Sequence, residues 1–384
     1  MSQTELNCAS PVTAENKSAQ PEEYVSLDAA SLEPWLDAAM LARFGFVGEC
    51  QVTPFGNGHI NRTYLVKQGD ARLILQQINT QVFPSAAAVV ENARHIEAHL
   101  LAKQAMGQYS MHVLRHQATS DGVWLVGPAQ DVRALTFIAG GRSLEVVNSR
   151  QQAFAAAKSF GQFAAALADF PAQQLHTVLP GFHDLARRMS QLKAAVAADS
   201  HGRLAQCKDL VDFCLVQQPL LETLAQTCQQ LPLRVCHNDT KINNMLYSDA
   251  EGVGLAVIDL DTCMPGYWMF DFGDMVRTCC SPVAEDSQQH DQVHIRTEIF
   301  QALVQGYQQG LGSQLTQAEQ DSFYLGAKVM CLMIGVRFLT DHLQGDNYFQ
   351  IKRLHHNLDR ARNQLALYAD LQQREAQLRR FFVE

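Results

Sequence analysis

His237-Asn-Asp239-Thr-Lys241-Ile-Asn-Asn244 follows a short apolar run, Leu233-Arg-Val-Cys236, and Asp259 ends a second one, Leu255-Ala-Val-Ile258. An Asp with an Asn five residues on and another Asp 20 residues on supplies what metal-assisted phosphoryl transfer needs. One carboxylate, Asp239, faces an acceptor hydroxyl, while the Asn244 amide oxygen and the Asp259 carboxylate are hard oxygen donors for Mg²⁺ on nucleotide phosphates. Asp261, two residues beyond Asp259 on an extended segment, points to the same side and joins the candidate metal or substrate ligands.

Those residues need strands that bring them to one rim. Leu233–Cys236, Met245-Leu-Tyr247 and Leu255–Ile258 read as short strands, with Ser248–Gly254 as the turn of a hairpin between the last two. Upstream, Gln51–Phe55, Thr63–Val66 and Arg72–Ile78 read as three antiparallel strands, and Ala86–Ala102 as a helix that buries Val89, Ala93, Ile96 and Leu100. His112–Arg115 and Val123–Val126 are expected as two further strands, ending in Arg133–Gly141. From about Ser143 the chain turns helical, over Gln151–Phe170, Asp184–Ala198 and Lys208–Leu231, and again from about Val293 onward. The expected organisation is a polar tail over 1–30, a β-rich small lobe over 31–141, and a helical catalytic and substrate lobe over 142–384.

With 384 residues, 47% hydrophobic side chains and 18% charged, the chain is long enough for two packed lobes. Thirty Lys and Arg against 39 Asp and Glu give a net charge of −9, which leaves no basic footprint for nucleic acid or an anionic membrane surface. An anionic ligand must therefore find its cations locally. The apolar run Val329–Val336 is far short of a bilayer span, and the first 30 residues lack a signal-peptide core, so a cytoplasmic location is expected. Ten cysteines without a CxxC pair read as reduced thiols, and no G-x4-G-K-[ST] phosphate loop occurs.

The block His237–Asn244 followed by Val257-Ile-Asp259-Leu-Asp261-Thr resembles the catalytic and metal segments of the aminoglycoside phosphotransferase and choline kinase superfamily, which has a protein-kinase-like fold. Phe55-Gly-Asn-Gly-His-Ile-Asn61, Leu75–Phe83, Val257–Pro265, Asp271-Phe-Gly-Asp274 and Val336–Asp346 are similar to segments of the N-acetylhexosamine 1-kinases. The resemblance spans roughly residues 50 to 350. It implies an α+β bilobal kinase with a catalytic β-hairpin, using ATP and Mg²⁺ to phosphorylate the anomeric hydroxyl of an N-acetylated hexosamine or related sugar. It also implies Asp239 as catalytic base, Lys241 against the transferring phosphate, and Asn244 and Asp259 on the metal. Asp271-Phe-Gly273 spells the kinase magnesium motif but lies 32 residues after Asp239, so Asp271 is taken as a structural acid.

On the nucleotide side, Gly56, Asn57 and Gly58 present backbone amides, Phe137 lies in the connector at the adenine edge, and Glu97, with Glu91 second, takes the helix acid position. The strand expected to carry a phosphate-binding Lys instead reads Leu75-Gln76-Gln77-Ile78, with Arg72 as another source of charge. On the acceptor side, Arg337, Asp341 and Tyr348 line the sugar pocket by resemblance, with Thr240, Asn243 and His183 beside them. A fork of donors suits a polyol, while an Arg337–Asp341 pair one helical turn apart is the alternative. Two other readings stay open: an amino-alcohol or aminoglycoside kinase, and a non-catalytic nucleotide-binding protein. Oligomeric state is not encoded in any of these features.

Overall fold

The computed structural model describes residues 33–56, 60–127, 131–248 and 253–383. The expected 1–30 tail and the positions Asn57 and Gly58 lie outside the described residues. Helix α1 (Ala38–Arg43), capped by the Asp37 carboxylate on the Met40 N–H, precedes the first sheet. That sheet is antiparallel in the order β1-β2-β3-β5-β4, with β1 Gln51–Pro54, β2 Arg62–Gln68, β3 Ala71–Gln77, β4 His116–Gln117 and β5 Val132–Thr136. Period-2 alternation gives it two different faces. Val66, Leu73, Leu75, Val132 and Ala134 pack under Trp35, Leu36, Met40, Leu41 and Phe44. On the other face Leu65, Ile74 and Leu135 form a small apolar cluster with Leu114 and Phe137.

Helix α2 (Ala86–Ala105) is capped by Ser85 and buries Val89, Ala93, Ile96 and Leu100, as their spacing predicts. Two expected strands do not form. His112–Arg115 spends its backbone elsewhere, with the His112 N–H on Leu255 O and Arg115 O accepting from the Thr136 N–H. Val123–Val126 makes one isolated bridge, Val126 to Val132, while the Trp124 ring lies under the Arg94 guanidinium on α2.

The connector passes Gly140, whose φ of 76° favours a residue without Cβ, into β6 (Gly141–Arg142). The chain then becomes mostly helical: α3 (Arg150–Ala166), α4 (Leu185–Ala198), α5 (Lys208–Leu215) and α6 (Gln218–Cys228). The single helix expected over 208–231 is divided, because Pro219 has no N–H to continue it and instead starts α6. Strands β7 (Arg234–Cys236), β8 (Met245–Ser248), β9 (Gly254–Val257) and β10 (Met264–Gly266) make two small sheets, β6-β8-β9 and β10-β7.

After them come α7 (Trp268–Cys279), α8 (Thr297–Leu311), α9 (Gln317–Leu343), α10 (His356–Gln373) and the short α11 (Glu375–Leu378). Helix α7 lies in a stretch, before Val293, where the sequence suggests no helix; eleven of its residues are buried, so no polar face marks its period. It packs on α9 at a backbone-to-backbone contact. A Cβ on Gly326 would stand 2.0 Å from Met269 O, and one on Gly273 2.3 Å from Gly326 O. Helix α9 has the length and apolarity of a membrane span, yet 89% of its most apolar window is buried inside the protein. The architecture is α+β, an antiparallel sheet lobe followed by a mainly helical region.

Candidate active site

The loop after β7 is fixed from three directions. The Asp271 carboxylate on α7 accepts the N–H groups of His237 (2.9 Å) and Asn238 (2.7 Å), and Thr240 Oγ1 donates back to Asp271 O at 2.6 Å. Asn238 adopts the left-handed conformation, with φ of 65°, and donates to Cys236 O and Thr262 O. The buried His237 ring donates from Nε2 to Ile258 O (3.0 Å), and its Nδ1 accepts the Asp239 N–H. That uses both nitrogens in one neutral tautomer, and burial holds the imidazole below its ordinary pKa. His237 and Asp271 therefore shape the loop.

Asp239 emerges from this frame. Lys241 Nζ lies 3.0 Å from its Oδ1, and Asn244 Nδ2 donates to its Oδ2 (3.0 Å) and its backbone O (2.8 Å). Burial pushes the carboxyl upward, but the charge and hydrogen bond of Lys241, joined by His237 and Arg277, together hold Asp239 below the ordinary carboxylate range. Asp239 in turn raises Lys241.

The β8–β9 hairpin sets the second carboxylate. Met245 pairs with Val257, and the Ile258 N–H donates to Asn244 O, so Asn244 and Asp259 lie at the same hairpin end. Asp259 has a left-handed φ of 59° and makes no hydrogen bond among the described residues. Burial and the charges of Asp261 and Asp239 push it up to about 7. With its amide N–H₂ committed to Asp239, Asn244 keeps its side-chain oxygen uncommitted. Two uncommitted oxygens in a crowd of like charge fit a hard divalent cation that takes its other ligands from phosphate and water. No group of three or more His, Cys, Asp or Glu able to hold a metal occurs among the described residues.

Asp261 stands apart from that pair. Expected as a metal or substrate ligand, it is instead 2% exposed with both oxygens engaged: Oδ1 by Arg133 on β5 and Oδ2 by Asn61 Nδ2 at 2.6 Å. Gln76 is likewise committed. Its Oε1 accepts from Arg133 Nε (2.9 Å) and a terminal nitrogen (2.5 Å), and its Nε2 donates to Thr63 Oγ1. Gln77 alternates to the opposite face. Glu97 accepts the His116 N–H and lies 3.0 Å from His116 Nδ1, so it pairs with β4 and not with a cation on β3. Arg72 lies over the Phe137 ring, 5.4 Å from its centroid, and Phe137 meets Phe55 edge-on. Gly56 has a φ of 77°, a turn conformation at the start of the glycine-rich segment.

Of the residues expected to bind an acceptor, Arg337 lies 5.3–5.6 Å from the ring centroids of Phe182, Tyr348 and Phe349. Its one side-chain partner is the Tyr348 hydroxyl at 3.4 Å, and among the described residues no carboxylate pairs with it. Burial, with help from the Arg188 and Arg277 charges, lowers it to about 10 against the opposing pull of the Tyr348 phenol. Asp341, expected in this pocket, is a buried structural acid that accepts the N–H groups of Asn347, Tyr348 and Phe349 and the Asn357 amide. The Arg337–Asp341 pair does not form.

His183 sits against Phe182 and Phe270, with both ring nitrogens shielded and without partners. Burial and the Arg337 and Arg277 charges lower it to about 3. Thr240 has its hydroxyl turned to α7, and Asn243 is half-buried with its side-chain oxygen shielded and unpartnered. Arg277, paired with Asp274 (2.6 Å) and Glu285 (2.8 Å), adds its charge to those lowering Asp239. Sequence reasoning misses Arg133, Asn61 and Arg277. The signal for Arg133 was a lone cation inside the apolar run 132–135.

The chain matches solved structures along most of its length, at identities that speak to fold alone. An aminoglycoside phosphotransferase from Alicyclobacillus acidocaldarius aligns over 92% of this chain and 98% of its own, with a TM-score of 0.63 at 14% identity. Spectinomycin phosphotransferase, solved with ADP and spectinomycin, covers 88% of this chain and 97% of its own, with a TM-score of 0.53 at 14% identity. The choline kinase LicA from Streptococcus pneumoniae covers 87% and 97%, with a TM-score of 0.51 at 13% identity. The model of the phosphotransferase enzyme family matches residues 51–312, from β1 through the catalytic loop and hairpin to the end of α8, and the chain belongs to that family.

Proposed function

We propose that the chain is an ATP- and Mg²⁺-dependent kinase that phosphorylates the anomeric hydroxyl of an N-acetylhexosamine or a related sugar. The nucleotide belongs to the 31–141 part and the acceptor to 142–384. In this reading Asp239, kept ionised by Lys241, orients the acceptor hydroxyl and takes its proton late, when a loose transition state has already weakened the bond to the leaving phosphate. Lys241 balances charge on the transferring group. Asp259 and Asn244 would hold Mg²⁺, which neutralises phosphate charge when bound.

The observation that carries the acceptor class is Arg337, a guanidinium walled by three aromatic rings with no carboxylate to balance it. A neutral, oxygen-rich acceptor supplies the lone pairs that this fork lacks, whereas a cationic amine would meet Arg337, Arg188 and Arg277 on one side. The wording of the segments over 50–350 supports the anomeric position. A second reading, an amino-alcohol or aminoglycoside kinase, is favoured by the names of the structural neighbours. ADP release is to be measured over a panel of N-acetylhexosamines, neutral hexoses, choline, aminopropanol and aminoglycosides. Phosphorus NMR of the product then reports coupling to the anomeric proton. Turnover confined to amines would overturn the sugar reading.

A further inference from the structure

The nucleotide side lacks a lysine on β3 and yet contains a cation in the right neighbourhood. Arg133 and Arg277 are the two Arg or Lys side chains buried among the described residues, and Arg133 is the one on the sheet, at 2% exposure. It stands directly opposite Gln76 in the β3–β5 pairing, on the face that also carries Leu65, Ile74 and Leu135. Its charge reaches Asp259 and lowers that carboxyl's affinity for a proton. The guanidinium is therefore placed between the apolar cluster under the sheet and the candidate metal ligands.

Its donors are divided. Nε and one terminal nitrogen are held by Gln76 Oε1, and that terminal nitrogen also reaches Asp261 Oδ1. The second terminal nitrogen makes no hydrogen bond among the described residues. Gln76 cannot swing away without losing Thr63, and Asp261 cannot without losing Asn61. Both supports are themselves supported, which fixes the plane of the guanidinium before any ligand arrives.

We infer that Arg133 is the phosphate-binding cation of the nucleotide site, with Gln76 as its positioning residue and Asp261 as its standing counter-ion. The inference rests on the nucleotide-dependent reading above. In kinases a β3 lysine serves the nucleotide phosphates and a helix carboxylate together. Here a planar fork does both from the adjacent strand: one edge keeps Asp261 and the free nitrogen takes a phosphate oxygen, which a single ammonium could do only as a point charge. The arrangement also accounts for Glu97, which is released from the ion-pair role and turned to His116.

Calorimetric titration of the full chain with Mg²⁺·ADP and, separately, with adenosine tests this in the parent, in D261N and in R133M/D261N. The double variant removes the pair without leaving Asp261 buried and alone. The expected result is an ADP affinity in R133M/D261N about tenfold or more below that of D261N, and the same adenosine affinity in all three. R133K/D261N, with a cation restored, recovers most of the loss. Should the double variant fail to fold by circular dichroism, R133K alone is expected to weaken ADP and not adenosine. Equal ADP binding by D261N and R133M/D261N overturns the inference, as does parallel loss of ADP and adenosine, which would mark the pair as a structural strap. A parent chain that binds ADP while these outcomes appear leaves the kinase reading standing; a parent that binds no ADP removes both.

Discussion

Two parts of the molecule, the sheet and helix α9, treat an arginine in opposite ways. Arg133 is held by an amide and a carboxylate that are each held in turn, and its charge is balanced before a ligand binds. Arg337 rests among three aromatic rings with a weak hydroxyl contact and, among the described residues, no acid. A pinned cation of this kind bears its desolvation cost at folding and presents one fixed donor direction, which in the proposed reading suits the invariant geometry of a phosphate. An unbalanced cation on flat rings gains most from an oxygen-rich ligand, so in the proposed reading the Arg337 side carries the discrimination between substrates.

The sharpest test falls on the residue between the two sides. Asp239→Asn is expected to lower kcat by about 10²- to 10⁴-fold while calorimetry finds nucleotide and acceptor affinities little changed. Near-normal turnover would remove Asp239 from the chemistry. Asp259→Asn should act on the nucleotide side alone, shifting the Mg²⁺ concentration for half-maximal activity about 10- to 100-fold upward with acceptor KM unaltered. On the acceptor side, Arg337→Met is expected to raise KM for an N-acetylhexosamine about tenfold and leave the KM for ATP alone. If it instead improves choline turnover at the sugar's expense, the contrast between the sides sharpens further.

Gly326→Ala, the mildest change, forces α9 off α7 at the contact with Met269 O and should cost about 1–3 kcal/mol by urea denaturation. Because α9 carries Arg337 and α7 carries Arg277, acceptor KM should drift before ADP affinity does. Loss of ADP affinity first would break the proposed division of labour.

What could be read from residues alone followed locality. Asp239, Asn244 and Asp259 lie within one hairpin and its flanks, so motif spacing and strand alternation bring them together in the fold much as the sequence predicts. The α2 stripe Val89, Ala93, Ile96 and Leu100 was legible for the same reason. Arg133–Asp261 and Asn61–Asp261 join residues 128 and 200 positions apart, and no local pattern announces a partner at that range. Asp261 looked like a metal ligand because the segment after Asp259 read as extended; it is instead a 3-10 turn, Leu260–Thr262, entered through the left-handed Asp259, and its partners were invisible. Helix α7 was missed because burial on all sides erases the periodicity that marks a helix, and the break at Pro219 because the apolar pattern runs on through it. Asp341 was named for the pocket by resemblance, whereas its carboxylate is consumed by three backbone N–H groups of the following loop.

Helix α9 has a consequence for how the protein is made. Its 27 residues leave the ribosome before α10, which packs along it and supplies part of the cover for a window of mean hydropathy 1.5. Until α10 arrives, a surface greasy enough for a bilayer stands open to water and to neighbouring chains. A chain cut just before His356 would keep every residue of the catalytic loop and hairpin, yet it should be recovered in aggregates.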